Sequence, residues 1–179
     1  MDPETISSER LDLPSLSAER IEALLAGDVA TVGQATAAVY SPEWLEDNAG
    51  HLTRRARQMR GDPAIRRWLV RPIVLREGDH AVIGTINFHG PPDERGMLEV
   101  GYSLLPDFRG RGYAIEAVRA LLGWAGSDPV VRVFRASVSP DNERSLHLIG
   151  KLGFVQIGEQ MDEEDGLELV FERAAPIED

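Results

Sequence analysis

The sequence predicts an α+β fold, α/β/α layered, built on one mixed central sheet of about seven strands. Three observations lead there. Between residues 68 and 105, three strand-like runs follow one another on short turns, the pattern of an antiparallel meander. From Leu98 onward a strand, a glycine/arginine loop, a helix and another strand come in that order, which asks for a parallel crossover. Helix-period segments lie before the meander, inside the crossover and after it.

Taken in order, Arg10-Leu11-Asp12-Leu13 is a short strand ended by Pro14. Ser17 caps a helix carrying Ile21, Leu24 and Leu25, with Glu19 and Glu22 in its first turns and Gly27 as its stop. Residues 28–40 are small and weakly patterned, enough for one more short helix. Ser41 caps the next helix and Pro42 fits its first position; it runs through Trp44 and Leu45 toward Met59 and stops near Gly61-Asp62-Pro63. Its later half is basic, with Arg54, Arg55, Arg57 and Arg60, followed by Arg66 and Arg67 beyond the break. That run is either a solvated helical face or a rim for an acidic substrate or a cofactor's outer phosphate.

Strands then follow at residues 68–75 and 80–89, separated by the turn Glu77-Gly78-Asp79, with Gly84 marking a bulge. The link Gly90 to Gly96 leads into an alternating run, Leu98, Val100, Tyr102 and Leu104, stopped at Pro106. After Arg109-Gly110-Arg111-Gly112, residues Ala114, Ala117, Val118, Leu121, Leu122 and Ala125 recur at helical spacing. A strand at 130–138 follows, then a short helix capped at Pro140-Asp141-Asn142, with Leu146, Ile149 and Leu152 on one face and Gly153 as its stop. Strands at 154–157 and 167–171 flank an acidic loop, and a frayed tail begins at Arg173. With no internal repeat and no interdomain linker, residues 1–179 read as a single domain.

Composition narrows the chemistry. There is no cysteine, so disulfides, thiol nucleophiles and cysteine-zinc sites are excluded. A net charge of −11 argues against a nucleic-acid partner, and no apolar run approaches membrane-spanning length. The first residues show no signal-peptide pattern, so the cytoplasm is the expected compartment. His51, His80, His89 and His147 are widely spaced without a metal-ligand pattern; no metal is expected, and His89, at a strand end, is the one that merits attention.

The glycine/arginine loop carries the strongest functional signal. The first turn of a helix has unpaired N–H groups and partial positive charge, and glycines let the backbone approach an anion closely. Two arginines add full charge. The loop lacks the Gly-Lys-Ser/Thr ending of a P-loop, and Ile115 stands where a dinucleotide fingerprint needs a small residue. The pattern present is R-x-x-G-x-A, from Arg109, Gly112 and Ala114. It resembles the pyrophosphate loop of the GNAT superfamily of acetyl-CoA-dependent N-acyltransferases. The order of elements resembles that fold over most of the chain. So do the local forms Glu99-Val100-Gly101-Tyr102, Asn142-x-x-Ser145 and Lys151-Leu152-Gly153-Phe154. They are closest to the branch of ribosomal-protein N-terminal acetyltransferases, RimJ/RimL-like, which also holds enzymes acting on other amines.

The resemblance implies acetyl-CoA as cosubstrate, bound where two parallel strands splay apart. It implies backbone pairing of Leu104 and Leu105 with the pantetheine arm. Gly110, Arg111, Gly112, Tyr113 and Ala114 would form the pyrophosphate cradle, with Arg109 on the phosphates or bracing the loop, and Asn142 would bond the cofactor beyond it. The expected acceptor is an amine, a peptide N-terminus or a small molecule; monomer and homodimer both remain open.

Direct acetyl transfer makes three demands. The amine must be neutral: an α-amino group is about a tenth neutral at pH 7 and a lysine well under about a thousandth, a difference near 3 kcal/mol. Glu99 is the candidate base, directly or through a water, unless it only pairs with an arginine of the neighbouring helices. The oxyanion needs a donor, for which a main-chain N–H near Leu105 is expected. The thiolate needs a proton or hydrogen bond. Many family members carry a tyrosine in the short helix, but Ile149 occupies that position here, so Ser145 becomes the candidate donor. Tyr102 and Tyr113 read as packing or loop residues. That departure keeps a second reading open, an acyl-CoA-binding module with little or no transferase activity.

Overall fold

The computed structural model describes residues 5–163 and 166–176. Its centre is an eight-stranded sheet in the order β1-β2-β3-β4-β5-β6-β8-β7, mixed because β5 and β6 run parallel while the other neighbours are antiparallel. The strands are β1 (Ile6–Ser7), β2 (Leu11–Leu13), β3 (Arg71–Leu75), β4 (Val82–Phe88), β5 (Met97–Leu104), β6 (Val133–Val138), β7 (Val155–Asp162) and β8 (Gly166–Ala174). Helices α1 (Ala18–Leu25), α2 (Val29–Thr36) and α3 (Pro42–Gly61) precede the meander. Helix α4 (Tyr113–Gly126) forms the crossover and α5 (Glu143–Lys151) follows β6.

Local chemistry explains the helix starts. Ser17 Oγ accepts from Arg20 N–H and Ser41 Oγ from Trp44 N–H, each filling an N-cap, and Pro42 sits where its missing N–H costs nothing. Two apolar layers then sandwich the sheet. On one face α4 and α5 bury Val118, Leu121, Leu122 and Ile149 against Phe88, Leu98 and Phe134. On the other, α1 to α3 bury Ile21, Trp44 and Leu52 against Val70, Val74 and Val82.

Several boundaries differ from expectation. An eighth strand, β1, pairs Ile6 with Leu13. The strand expected from residue 68 begins at Arg71, because Pro63–Trp68 forms a 3-10 turn capped by Asp62 and Trp68 packs edge-on against Phe88. The extra residue in β4 is Ile83, beside Gly84: Gly84 pairs with Ile73 and Val82 with Val74. The strand β6 starts at Val133 because Asp128 turns residues 128–131, accepting from the N–H groups of Val130 and Val131. The last hairpin is longer than expected, since β7 continues to Asp162 and β8 begins at Gly166; residues 164 and 165 of the acidic loop lie outside the described residues. The tail is not frayed at Arg173 and Ala174, which pair with Phe134 and Val133 while Arg173 Nη1 donates to Leu152 O. Residues 177–179 lie outside the described residues. Among the described residues no helix is long and apolar enough to cross a membrane.

One feature of the sheet positions everything functional. The parallel pair β5·β6 is in register only through Met97↔Val133, Leu98↔Phe134 and Glu99↔Arg135. Beyond Glu99, β5 stays paired with β4 as far as Leu104, and β6 stays paired with β8 as far as Val138. The two strands therefore splay, each held by its other neighbour.

Gly84 is part of that hold. A Cβ there would lie 2.2 Å from Ser103 O, and the Gly84 carbonyl accepts from Trp44 Nε1 at 3.0 Å. Gly84→Ala is expected to destabilise the fold by about 2 kcal/mol or more through overpacking; an unchanged urea midpoint would contradict this close approach.

Candidate functional site

The backbone of β5 fixes which groups reach the splay. His89 N–H donates to Glu99 O and Leu105 N–H to Ile83 O, both at 2.9 Å, so odd-numbered residues of this ladder direct their main-chain groups to β4. Even-numbered residues direct theirs the other way. Past the last pairing with β6, the main-chain groups of Tyr102 and Leu104 thus face the opening. Leu105 does not: its N–H is spent on β4, which corrects its expected backbone place beside the cofactor. The Leu104 carbonyl already accepts from Arg109 Nε at 3.0 Å, so Arg109 braces the turn that follows β5.

Two cavities open at the splay and share Tyr102 and Ser103. The larger, about 1000 Å³, lies on the α4/α5 face and is lined by the glycine/arginine loop, the start of α4 and one side of α5. Of the expected cofactor residues it includes Leu104, Arg109, Gly110, Gly112, Tyr113, Ala114 and Asn142, together with Ser145. Arg111 is not in its wall; the Arg111 guanidinium lies 5.9 Å from the centre of the Phe108 ring. Arg144 and Lys151 are in the wall, and with Arg109 they give it three cations. Neither α5 cation stands out in the sequence, where both look like ordinary helical charges.

The loop has the conformation an anion cradle needs. Gly110 and Gly112 have φ of 76° and 81°, left-handed values that favour glycine, and Gly112 caps α4 with no side chain over its first-turn N–H groups. The loop is clamped from the other end of the chain. Arg10 Nη1 donates to Arg111 O, Arg10 Nε to Glu116 Oε2, and the guanidinium lies 4.6 Å from the Tyr113 ring centre. Ser8 Oγ and the Arg10 N–H both donate to Glu116 Oε1 at 2.7 Å. Burial alone would raise the Glu116 carboxyl, but these donors and the Arg10 charge outweigh it and hold the group below the usual carboxylate range. A residue a hundred positions away thus fixes the loop, and no local signal in the sequence could have identified it. These residues fit a phosphorylated cofactor: free backbone edges, a glycine cradle at a helix start and three cations.

On α5, Ile149 is 1% exposed and belongs to the core, so the isoleucine offers the cleft no proton donor. Asn142 Oδ1 caps the helix by accepting from Ser145 N–H, leaving its amide NH2 at the cavity. The Tyr102 hydroxyl donates to Ser145 Oγ at 3.0 Å. This corrects the reading of Tyr102 as packing only. Burial, partly opposed by the Ser145 contact, raises its phenol, so the group is a proton donor at neutral pH. Alternation places Tyr102 opposite Glu99; what the sequence could not reveal is that β6 has already departed there.

The smaller cavity, about 760 Å³, lies on the α3 face and is lined by His51, Arg54, Arg55, His89 and Gly101, with Asp162 and Glu163 from the end of β7. Glu99 is not in its wall. Its carboxylate accepts from Ser137 Oγ at 2.6 Å and stands 3.9 Å from His89 Nδ1, and it forms no arginine pair among the described residues. His89 meets the cavity, with Glu99 behind it. His51 Nε2 is buried without a hydrogen-bond partner; burial, reinforced by Arg55, Arg54 and His89, pushes its ring down to about 4, so it is neutral at neutral pH. Among the described residues no group of three or more histidines and carboxylates is arranged to hold a metal.

The family model described as an acetyltransferase (GNAT) domain matches residues 10–155. An uncharacterized N-acetyltransferase of Bacillus subtilis, YjdG, is 35% identical over 83 residues, 46% of this chain and 49% of that protein. The N-acetyltransferase p20 of Bacillus licheniformis, also uncharacterized, is 35% identical over 86 residues, 48% of each. The chain spans about half the length of the curated relatives it matches. In fold it resembles the ribosomal-protein-S5-alanine acetyltransferase of Vibrio fischeri, at a TM-score of 0.67 and 17% identity over 96% of both chains. It also resembles RimL, the ribosomal L7/L12 α-N-protein acetyltransferase, in a structure with coenzyme A, at 0.66 and 16% over 97% and 99%. The family match covers most of the sequence and includes the glycine/arginine loop and the residues where its two cavities meet: this chain belongs to the GNAT acetyltransferases.

Proposed function

We propose that the chain is an acetyl-CoA-dependent N-acetyltransferase that acetylates a primary amine by direct attack in a ternary complex. One observation carries the reading: a cofactor-sized cavity on one face of the sheet and a second cavity on the other meet at Tyr102 and Ser103, where β5 has lost its partner. The donor enters from the α5 side and the acceptor from the α3 side. The relatives' names and the coenzyme A in the RimL structure support the same cosubstrate.

Acetyl-CoA supplies the thioester carbonyl. Gly110 to Ala114 hold the pyrophosphate through main-chain N–H groups, with Arg109, Arg144 and Lys151 adding charge. The open-edge N–H groups of Tyr102 and Leu104 pair with the cofactor arm, and whichever lies nearer the carbonyl stabilises the oxyanion. His89 receives the amine's proton and Glu99 holds His89 from behind. Ser145 donates to the departing thiolate. Because Tyr102 O–H already donates into Ser145 Oγ, the serine's own proton is free to point into the cavity. The second reading, a binding module without transferase activity, draws on the buried Ile149, which removes the usual tyrosine from α5.

Release of coenzyme A thiol from acetyl-CoA, dependent on an added amine, separates the two readings; tight binding without release against a broad amine panel would favour the module. Gly112→Glu places a side chain and a negative charge in the cradle, and a Cβ there already lies 3.3 Å from Arg10 Nη2. Acetyl-CoA binding should be lost, and unchanged affinity by calorimetry would remove the loop from the site. Tyr102→Phe is expected to lower kcat by about 10- to 100-fold with the acetyl-CoA KM within about twofold. Should its kcat stay at the wild-type value, the Tyr102–Ser145 relay is wrong. Glu99→Gln should also lower turnover while sparing cofactor affinity; wild-type rates across the whole pH range would exclude Glu99 from proton transfer.

A further inference from the structure

Arg54 and Arg55 line the 760 Å³ cavity together with Asp162 and Glu163, and among the described residues no carboxylate is ion-paired with either arginine. Arg55 is 6% exposed, so its guanidinium is almost wholly inside the protein. Its Nη1 donates to two neutral acceptors, Gln58 Oε1 at 2.9 Å and His89 O at 3.0 Å, and its Nε is buried with no acceptor. Burial, followed by the neighbouring Arg54, lowers it to about 10, so it is still charged at neutral pH. Arg54 lines the same cavity and makes no ion pair among the described residues. Arg60, on the same helix, differs: it is bound to Glu19 and Glu22 at 2.7 and 2.6 Å.

Burying a guanidinium without a counter-ion costs several kcal/mol. The cost falls when an occupant of the cavity brings the negative charge, and a carboxylate is the planar partner whose two oxygens match the guanidinium fork. The cavity ends at Tyr102 and Ser103, so an occupant held by the arginines can extend its other end to the cofactor side. We infer that the acceptor is an amine that also carries a carboxylate, held by Arg54 and Arg55 while the amino group reaches the junction at Tyr102 and Ser103. This rests on the transferase reading and narrows its acceptor. The carboxylate belongs either to a small amino acid or to an acidic side chain next to a peptide's N-terminus.

Matched pairs separate these sources: glycine and β-alanine against their amides, and a Ser-Asp-Ala amide against a Ser-Asn-Ala amide. Each is assayed by thiol release and titrated calorimetrically into the complex with coenzyme A. In at least one pair the carboxylate member should win by about tenfold or more in kcat/KM and in affinity, and the winning pair names the source. Arg54→Gln should abolish that preference through KM with kcat nearly unchanged, and Arg54→Lys should restore part of it. Arg54 is the residue to vary because it is exposed, whereas loss of buried Arg55 threatens folding. Equal handling of both members in every pair, or a preference that survives Arg54→Gln, overturns the inference. So does an equal loss on charged and neutral amines, which would mean that Arg54 acts only by lowering the amine's pKa. If no amine is turned over, the transferase reading fails, and the titrations still decide whether the cavity selects a carboxylate.

Discussion

The constraint on which the rest depends is the early end of pairing between β5 and β6. Hydrogen-bond ladders are strongest when both edges of a strand are satisfied, and here each strand keeps only one beyond Glu99. The right-handed twist of the sheet pulls them apart as each follows its own neighbour. What remains is a stretch of β5 edge at Tyr102 and Leu104 that faces the cleft, with only the Leu104 carbonyl engaged, by Arg109, and an extended ligand can complete it. The same gap joins the two faces of the sheet, so two compounds can meet without either crossing the core.

A second dependence runs from the first strands to the glycine/arginine loop. The loop's glycines give it the freedom to curl over a helix start, and that freedom would be a liability if nothing held it. Arg10 and Ser8 tie Glu116 and the Arg111 carbonyl to the first strands, and Arg109 ties the other end to Leu104. The cradle is flexible by composition and fixed by its neighbours. Because the Arg10–Glu116 pair is partly buried and carries three further hydrogen bonds, it is worth more than an ordinary surface ion pair.

The two sides of the cleft differ in electrostatics. The α5 side gathers Arg109, Arg144 and Lys151 around the loop. The α3 side sets Arg54 and Arg55 in one wall with Asp162 and Glu163, and holds a neutral His51 beside His89. In a chain of net charge −11, the α5 side is a local exception to the overall sign. Local sign matters more than the total here, because charges beyond about 10 Å are largely screened at physiological salt.

What the sequence by itself determined is what short-range chemistry encodes. Caps at Ser17, Ser41 and Asn142, the alternation of β5 and the helical spacing of α4 were all legible, because each depends on residues within a few positions. So was the glycine/arginine loop, whose special φ values only glycine adopts easily. Tertiary structure alone decided which strand edge is open, that Leu105 N–H is spent on β4, that Tyr102 meets Ser145, and that Glu99 stands behind His89. It also decided that Arg60 of the basic run on α3 is paired at the surface, while Arg55 is buried facing a cavity. Those outcomes depend on where two strands part and which helices lie across them, and contacts between residues forty or a hundred positions apart leave no mark in local spacing.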